Sequence, residues 1–144
     1  MDTRIASLMT APVISVKADA SVAEVADVLA RNRLSFVPVT ECAGGQALGI
    51  VSAADILHFK SGKSDLDTLR AWQICTYKPL SVAPDASTVD VARLMLAHQA
   101  HHVLVLRDNV LAGVVSSLDF VRDYIARAEA EAAHNPAAPG PQDA

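Results

Sequence analysis

The chain is written twice. Sliding the sequence by 66 positions lays residues 4–39 over residues 70–105, with identities at Arg4/Arg70, Thr10/Thr76, Ser15/Ser81, Val16/Val82, Asp19/Asp85, Ala20/Ala86, Ser21/Ser87, Val25/Val91, Ala26/Ala92, Val37/Val103 and Val39/Val105. Many of the remaining pairs exchange one apolar residue for another, as at Leu8/Ile74, Ile14/Leu80 and Leu29/Met95, so the burial pattern repeats where identity does not. The match resumes at a shift of 64 from Gly49/Gly113, because the loop 41–46 is two residues longer than its counterpart around 107–109. Loops absorb such differences. A duplicated chain of 144 residues has room for one domain, or for two small like halves sharing a core.

Each copy is punctuated in the same way. A short strand is predicted at 13–16 and at 80–82, followed by Asp-Ala-Ser and a helix whose capping pair is Ser21 with Glu24, or Ser87 with Asp90. Val22, Val25, Ala26 and Leu29 fall on one face of the first helix; Val91, Leu94 and Met95 do so in the second. Two apolar strands follow, 36–39 and 48–51, turning at Gly44-Gly45, with partners at 103–106 and 111–115 turning at Asp108-Asn109. Each copy then closes with Gly, two apolar residues and Ser-x-x-Asp: GIVSAADI at 49–56 and GVVSSLDF at 113–120, both leading into helical spacing. The unit is therefore strand, helix, strand, strand, helix, an α+β arrangement. Between the copies, 60–65 is a polar break and 66–74 reads as a short helix whose Trp72 packs the crossover onto the core. The reading divides the chain into a first repeat at 1–60, a linker at 61–73, a second repeat at 74–128, and a tail at 129–144 expected to be disordered.

The two Ser-x-x-Asp boxes are the candidate chemistry. At a junction from strand to helix the unpaired N–H groups and the helix dipole favour an anion or a polyhydroxyl ligand, and a carboxylate there can accept two bonds from neighbouring hydroxyls. Ser52 with Asp55, and Ser116 with Asp119, equally fit a helix-capping box. Symmetry-related copies of one acidic site suggest two like pockets rather than two catalytic roles, and no nucleophile elbow, phosphate loop or dinucleotide fingerprint is present. The chain therefore reads as a non-enzyme with no catalytic residues.

Composition narrows the partners. Hydrophobic residues make up 51 % and charged ones 19 %, enough apolar content for a substantial core. Twelve Lys and Arg against sixteen Asp and Glu give a net charge of −4, the wrong sign for nucleic acid. The opening MDTRIASLMT has no apolar run long enough for a signal peptide, and no stretch approaches the ~20 apolar residues of a membrane span. A cytoplasmic location with no membrane partner is the expectation. Cys42 and Cys75 have no metal or redox spacing and are expected as reduced thiols. His98, His101 and His102 are not placed as a metal shell, since His98 closes a helix and the other two open a strand on opposite faces. No metal site is assigned.

With the repeat in register, the residues resemble a CBS-domain pair, the tandem module named after cystathionine beta-synthase. The carriers are 8–10 and 74–76, Ser-Phe-Val-Pro-Val at 35–39 against His-His-Val-Leu-Val at 101–105, and the two G-h-h-S-x-x-D stretches. The resemblance implies two β-α-β-β-α repeats packed around a pseudo-twofold axis with two clefts between them, further assembly into a homodimer, and regulation of an unidentified client protein through an adenosine-containing ligand: AMP, ADP, ATP with Mg²⁺, or S-adenosylmethionine. It also implies roles. Asp55 and Asp119 resemble the ribose-binding aspartates, and Ser52 and Ser116 the hydroxyls facing ribose or phosphate. Thr10 and Thr76 match the threonine at the cleft edge, Ser35 and His101 a polar or basic position towards the phosphates, and Ser15 and Ser81 the backbone meeting the adenine edge. Leu104 stands where the first copy has Pro38, and Cys75 where it has Met9. Few Lys or Arg lie near the motifs in sequence, so a triphosphate is expected to lean on Mg²⁺. The competing reading is a constitutive interaction or oligomerisation module whose boxes are caps alone.

Overall fold

The computed structural model describes residues 3–42, 45–60 and 65–134. In order, the elements are a 3₁₀ turn at Ile5–Ser7, then β1 (Val16–Lys17), α1 (Val22–Asn32), β2 (Phe36–Thr40), β3 (Ala47–Ser52), α2 (Ala53–Lys60), α3 (Ala71–Ile74), β4 (Thr76–Tyr77), β5 (Ser81–Val82), α4 (Thr88–His98), β6 (His102–Arg107), β7 (Val110–Ser116) and α5 (Ser117–His134). The strands form a four-stranded sheet in the order β1-β2-β3-β4 and a three-stranded sheet in the order β5-β6-β7.

The duplication is kept pair by pair. Phe36 faces Ser52 and His102 faces Ser116; Val39 faces Gly49 and Val105 faces Gly113; the register shifts at Val39/Thr40 and at Val105/Leu106. Ser21 and Ser87 cap their helices, each hydroxyl accepting from the N–H three residues on. Both helices end on a left-handed residue, Arg33 and Gln99. Asp108 and Asn109 both have positive φ, which suits the tight β6–β7 hairpin. Gly44 of the corresponding predicted turn lies outside the described residues, while Gly45 has φ 70°.

The repeats trade their leading segments. The N-terminal stretch docks on the second copy: Arg4 Nη1 donates to Asp85 O at 2.9 Å, Ile5 N to Ala86 O at 2.8 Å, and Thr10 N to Val114 O at 2.9 Å. The stretch after the polar break docks on the first copy: Arg70 Nη1 donates to Asp19 O at 3.2 Å, Ala71 N to Ala20 O at 2.8 Å, and β4 pairs with β3 through Thr76 and Ile50. The cores follow the exchange. Ile5, with Leu8 and Met9, packs among Val91, Met95, Val103, Val105 and Val115, while Ala71, Ile74 and Cys75 pack among Val22, Val25, Val37, Val39 and Val51.

Three expectations are corrected. The first strands are shorter than predicted, Val16–Lys17 and Ser81–Val82. In the second copy Leu104 N still reaches Leu80 O at 2.9 Å. Pro38, its equivalent, has no N–H to offer Ile14. The helix predicted over 66–74 is a turn closed by Leu69 N to Asp65 O, then extended Arg70, then four helical residues. Trp72 is 48 % exposed, and Ala71 and Ile74 fill the core in its place. The tail expected to be disordered from 129 is helical as far as His134, because its Ala and Glu are strong helix formers and extend a helix in which Asp123 pairs with Arg127 at 2.8 Å. Residues 135–144 lie outside the described residues.

The glycine that opens each Ser-x-x-Asp stretch is set by the exchange. A Cβ at Gly49 would strike the Thr76 carbonyl oxygen, whereas one at Gly113 would strike the Met9 side chain, its thioether first. Backbone cannot move aside as a thioether can. We therefore expect Gly49→Ala to cost about 1–3 kcal/mol, and Gly113→Ala clearly less, in urea denaturation. Equal losses would show that the two backbone approaches are equally adaptable.

Candidate ligand cleft between the repeats

Both Ser-x-x-Asp boxes sit where a central strand becomes a helix. In the first, Ser52 N donates to Asp55 Oδ2 at 2.9 Å and Asp55 N donates to Ser52 Oγ at 3.1 Å, a reciprocal capping box. In the second, Ser116 N donates to Asp119 Oδ2 at 2.8 Å, the Ser116 hydroxyl lies 3.2 Å from the same oxygen, and Arg122 Nη1 donates to Asp119 Oδ1 at 3.0 Å. The Asp119 side chain is only 10 % exposed. An ionised carboxylate offers about four lone-pair directions, so the cap leaves acceptor capacity for a ligand.

Asp119 opens onto a cavity of about 310 Å³ at the seam between the repeats. Its walls bring together Thr10, Ser35, Ser116 and Asp119, with Arg33, Phe36, His102 and Arg122 completing the polar and aromatic lining. Cavities of roughly 300–1,000 Å³ hold small molecules, and this one lies at the small end. Thr10 is brought there by its bridge to Val114, and Ser35 by the end of α1. The other predicted site residues lie apart from it. Ser52 and Asp55 belong to the opposite junction, where Thr76 pairs with Ile50 as Thr10 does with Val114. His101 gives its carbonyl to Ser117 N at 2.9 Å and lines an apolar groove of about 390 Å³ beside Met95, Leu96 and Phe120. Ser15 and Ser81 are exposed and are not among the lining residues.

Sequence reasoning missed the cleft's cations and its rings. Arg122 was discoverable as a residue three positions beyond Asp119 on a helix, where side chains meet. Arg33 carried no signal, since only the left-handed end of α1 turns it to the seam. Phe36 and His102 are repeat equivalents whose rings meet across the pseudo-twofold axis, with centroids 3.9 Å apart and planes tilted by 35°. His102 Nε2 also lies 3.4 Å from Ser35 Oγ. Among the described residues no group of His, Cys, Asp and Glu is arranged to hold a metal ion, and no helix is long and apolar enough to cross a membrane. Cys42 and Cys75 are free thiols; burial pushes Cys75 above the usual thiol range, and the Asp55 carboxylate adds to that, so it stays protonated.

Burial holds the His102 imidazole below its ordinary pKa; neighbouring His101 pushes the same way, and Asp119 opposes. A folded-state value below the unfolded one favours neutral histidine in the fold. That contribution is complete above the unfolded value of 6.5 and is lost as pH falls through it towards the folded value. Urea midpoints should therefore drop on acidification below about pH 6.5, and His102→Phe, which keeps the stack, should flatten that part of the profile. An unchanged slope in the variant would assign the titration elsewhere.

The CBS-domain family model matches the chain at residues 5–62 and again at 71–125. The uncharacterized protein MJ0188 of Methanocaldococcus jannaschii is 29 % identical over 126 residues; the match spans 87 % of this chain and 45 % of that protein, so the chain corresponds to about half the length of this relative. The acetoin utilization protein AcuB of Vibrio cholerae superposes with a TM-score of 0.82 at 23 % identity, covering 91 % of this chain and 96 % of that one. The CBS domain protein PAE2072 of Pyrobaculum aerophilum, solved in complex with AMP, superposes with a TM-score of 0.73 at 30 % identity, covering 81 % and 88 %. With two family matches laid over two structural repeats, the chain belongs to the CBS-domain family as a tandem pair.

Proposed function

We propose that the chain is a regulatory sensor: an adenosine-containing ligand binds in the cleft between the repeats and biases the pairing of the module with itself or with a client protein. The observation that carries this reading is the convergence of Thr10, Ser35, Ser116 and Asp119, from both ends of the chain, on one cavity of about 310 Å³. The Asp119 carboxylate, held by its cap, offers acceptors to a ribose diol, and the Phe36 and His102 rings supply flat apolar surface beside it. Relationship at 30 % identity to a CBS protein complexed with AMP supports the same ligand class. ADP, ATP with Mg²⁺ and S-adenosylmethionine share the adenosine portion and remain candidates; homodimer assembly and a cytoplasmic location belong to the same proposal. The role is regulatory and not catalytic: the Ser52 hydroxyl accepts the Asp55 N–H and the Ser116 hydroxyl donates to Asp119 Oδ2, and neither is bonded to a histidine base among the described residues.

The intact capping bonds favour a second reading, a constitutive interaction module with no ligand. Titration calorimetry with AMP, Mg²⁺-ATP and S-adenosylmethionine separates the two. The wild type should bind at least one, and a saturating ligand at about 100 times its Kd should add roughly 2.7 kcal/mol to stability. Asp55→Ala combined with Asp119→Ala should abolish binding and cost about 0.5–2 kcal/mol per cap. A wild type that takes up none of the three at millimolar concentration leaves the constitutive module standing, and uptake unchanged in the double variant moves the site elsewhere.

A further inference from the structure

The helix that ends the second repeat is sunk less deeply than its counterpart in the first. α2 buries Ile56 and packs Phe59 against its core, whereas α5 has no fully buried residue and carries Asp123 where the first copy has Phe59. Its apolar side chains face outward instead: Leu118, Val121, Tyr124 and Ile125 are between 49 % and 74 % exposed. Leu118, Val121, Ile125, Ala128 and Ala132 follow one another at alternating steps of three and four residues, the spacing of a coiled-coil seam, and Ala128 and Ala132 are exposed as well. At the positions equivalent to the first four, the first copy has Ala54, Leu57, Ser61 and Ser64, so only Leu57 keeps a large apolar side chain. The stripe belongs to the second repeat alone, and its far end lies beyond the family match, which stops at 125.

The flanks of the seam select what covers it. Arg122 and Glu129 stand on one side, a heptad apart, and Tyr124 on the other. In a parallel pair of α5 helices, Arg122 would meet Ser117 of the second copy and Glu129 would meet Tyr124, with no charge pair. In an antiparallel pair that sets Leu118 on Ala128 and Val121 on Ile125, Arg122 comes beside Glu129 of the second copy, twice by symmetry. Tyr124 then meets its own mate at the two-fold axis. The seam is self-complementary in one direction only. Arg122 gives Nη1 to Asp119 Oδ1 with its side chain 73 % exposed, and a guanidinium has enough N–H donors to hold a second carboxylate.

Resting on the assembly part of the sensor reading above, we propose that two copies of the chain pair through antiparallel α5 helices, second repeat against second repeat, with the first repeats left apart. One helix pair buries less than the about 1,600 Å² of a standard interface, so the dimer is in reversible equilibrium with the monomer.

The test is analytical ultracentrifugation of the full chain up to about 1 mM. The wild type should pass from monomer to dimer as concentration rises. Ile125→Glu should weaken association by roughly 100-fold, while Leu57→Glu, on the first repeat's equivalent helix, should associate like the wild type. Both positions are exposed, so the fold is retained, and a melting curve checks it. Direction is read from cysteines placed in a Cys42→Ser chain, where the remaining Cys75 is buried. Leu118→Cys combined with Ala128→Cys should oxidise to a covalent dimer; neither alone should, because position 118 of one copy lies about 15 Å along the helix from 118 of the other. Undiminished association of Ile125→Glu, loss of association in Leu57→Glu, cross-linking by either single cysteine, or none by the pair overturns the proposal. A wild type that stays monomeric removes the homodimer as well, while nucleotide uptake in calorimetry, which needs no assembly, tests the sensor reading separately.

Discussion

The reciprocal docking of each repeat's leading segment on the other repeat's sheet is the constraint on which the rest of the structure rests. Thr10 against Val114 and Thr76 against Ile50 are main-chain contacts made across the duplication. Each is reinforced by an arginine reaching a carbonyl, Arg4 to Asp85 and Arg70 to Asp19. Ile5 is fully buried in the second core although it lies at the start of the chain, and Ala71 is fully buried in the first. Removing a buried side chain of the size of Ile5 typically costs about 2–5 kcal/mol, so neither half has a complete core without the other's segment.

That exchange also builds the cleft. The strand carrying Ser116 and Asp119 receives Thr10 because the N-terminal segment crosses to it, and the α1 end carrying Arg33 and Ser35 closes the other side. The glycine opening each Ser-x-x-Asp stretch is then a packing requirement of the crossing segment, since a side chain at Gly49 would collide with the Thr76 carbonyl. The sequence motif joins two requirements that meet at one junction: a close backbone approach in the strand and a capped helix start.

Much of this was legible because duplication supplies an internal comparison. The order of elements, the capping serines 21 and 87, and the pairing of Ser with Asp in each box follow from local pattern, and the structure keeps them. What pattern could not supply is which copy a segment packs against. Residues 4–10 open the first repeat in sequence but complete the second in space, and no local periodicity encodes that. For the same reason Arg33 stayed invisible as a neighbour of Asp119: the two are far apart along the chain and meet only at the seam, whereas His102 comes beside Asp119 through its pairing with Ser116 within the second repeat. Trp72 shows the opposite failure, where the bulkiest apolar side chain of the crossover was expected inward and the small Ala71, whose N–H donates to Ala20 O, is the buried residue.

Capping and ligand binding need not compete for the same aspartates. At Asp119 the Ser116 N–H and hydroxyl both use Oδ2 and the ion pair uses one direction of Oδ1, so Oδ1 retains a further acceptor direction. The cap thereby fixes the carboxylate before a ligand arrives, which lowers the ordering cost of binding. Because the walls of the cavity come from both repeats, any change in their relative placement alters the contacts available to the ligand. A ligand shifts an equilibrium only through unequal affinity for its states, and a site that straddles the seam is where such inequality arises. The paired rings Phe36 and His102 lie on that seam and line the cavity, so a contact that joins the repeats is also part of the cavity wall.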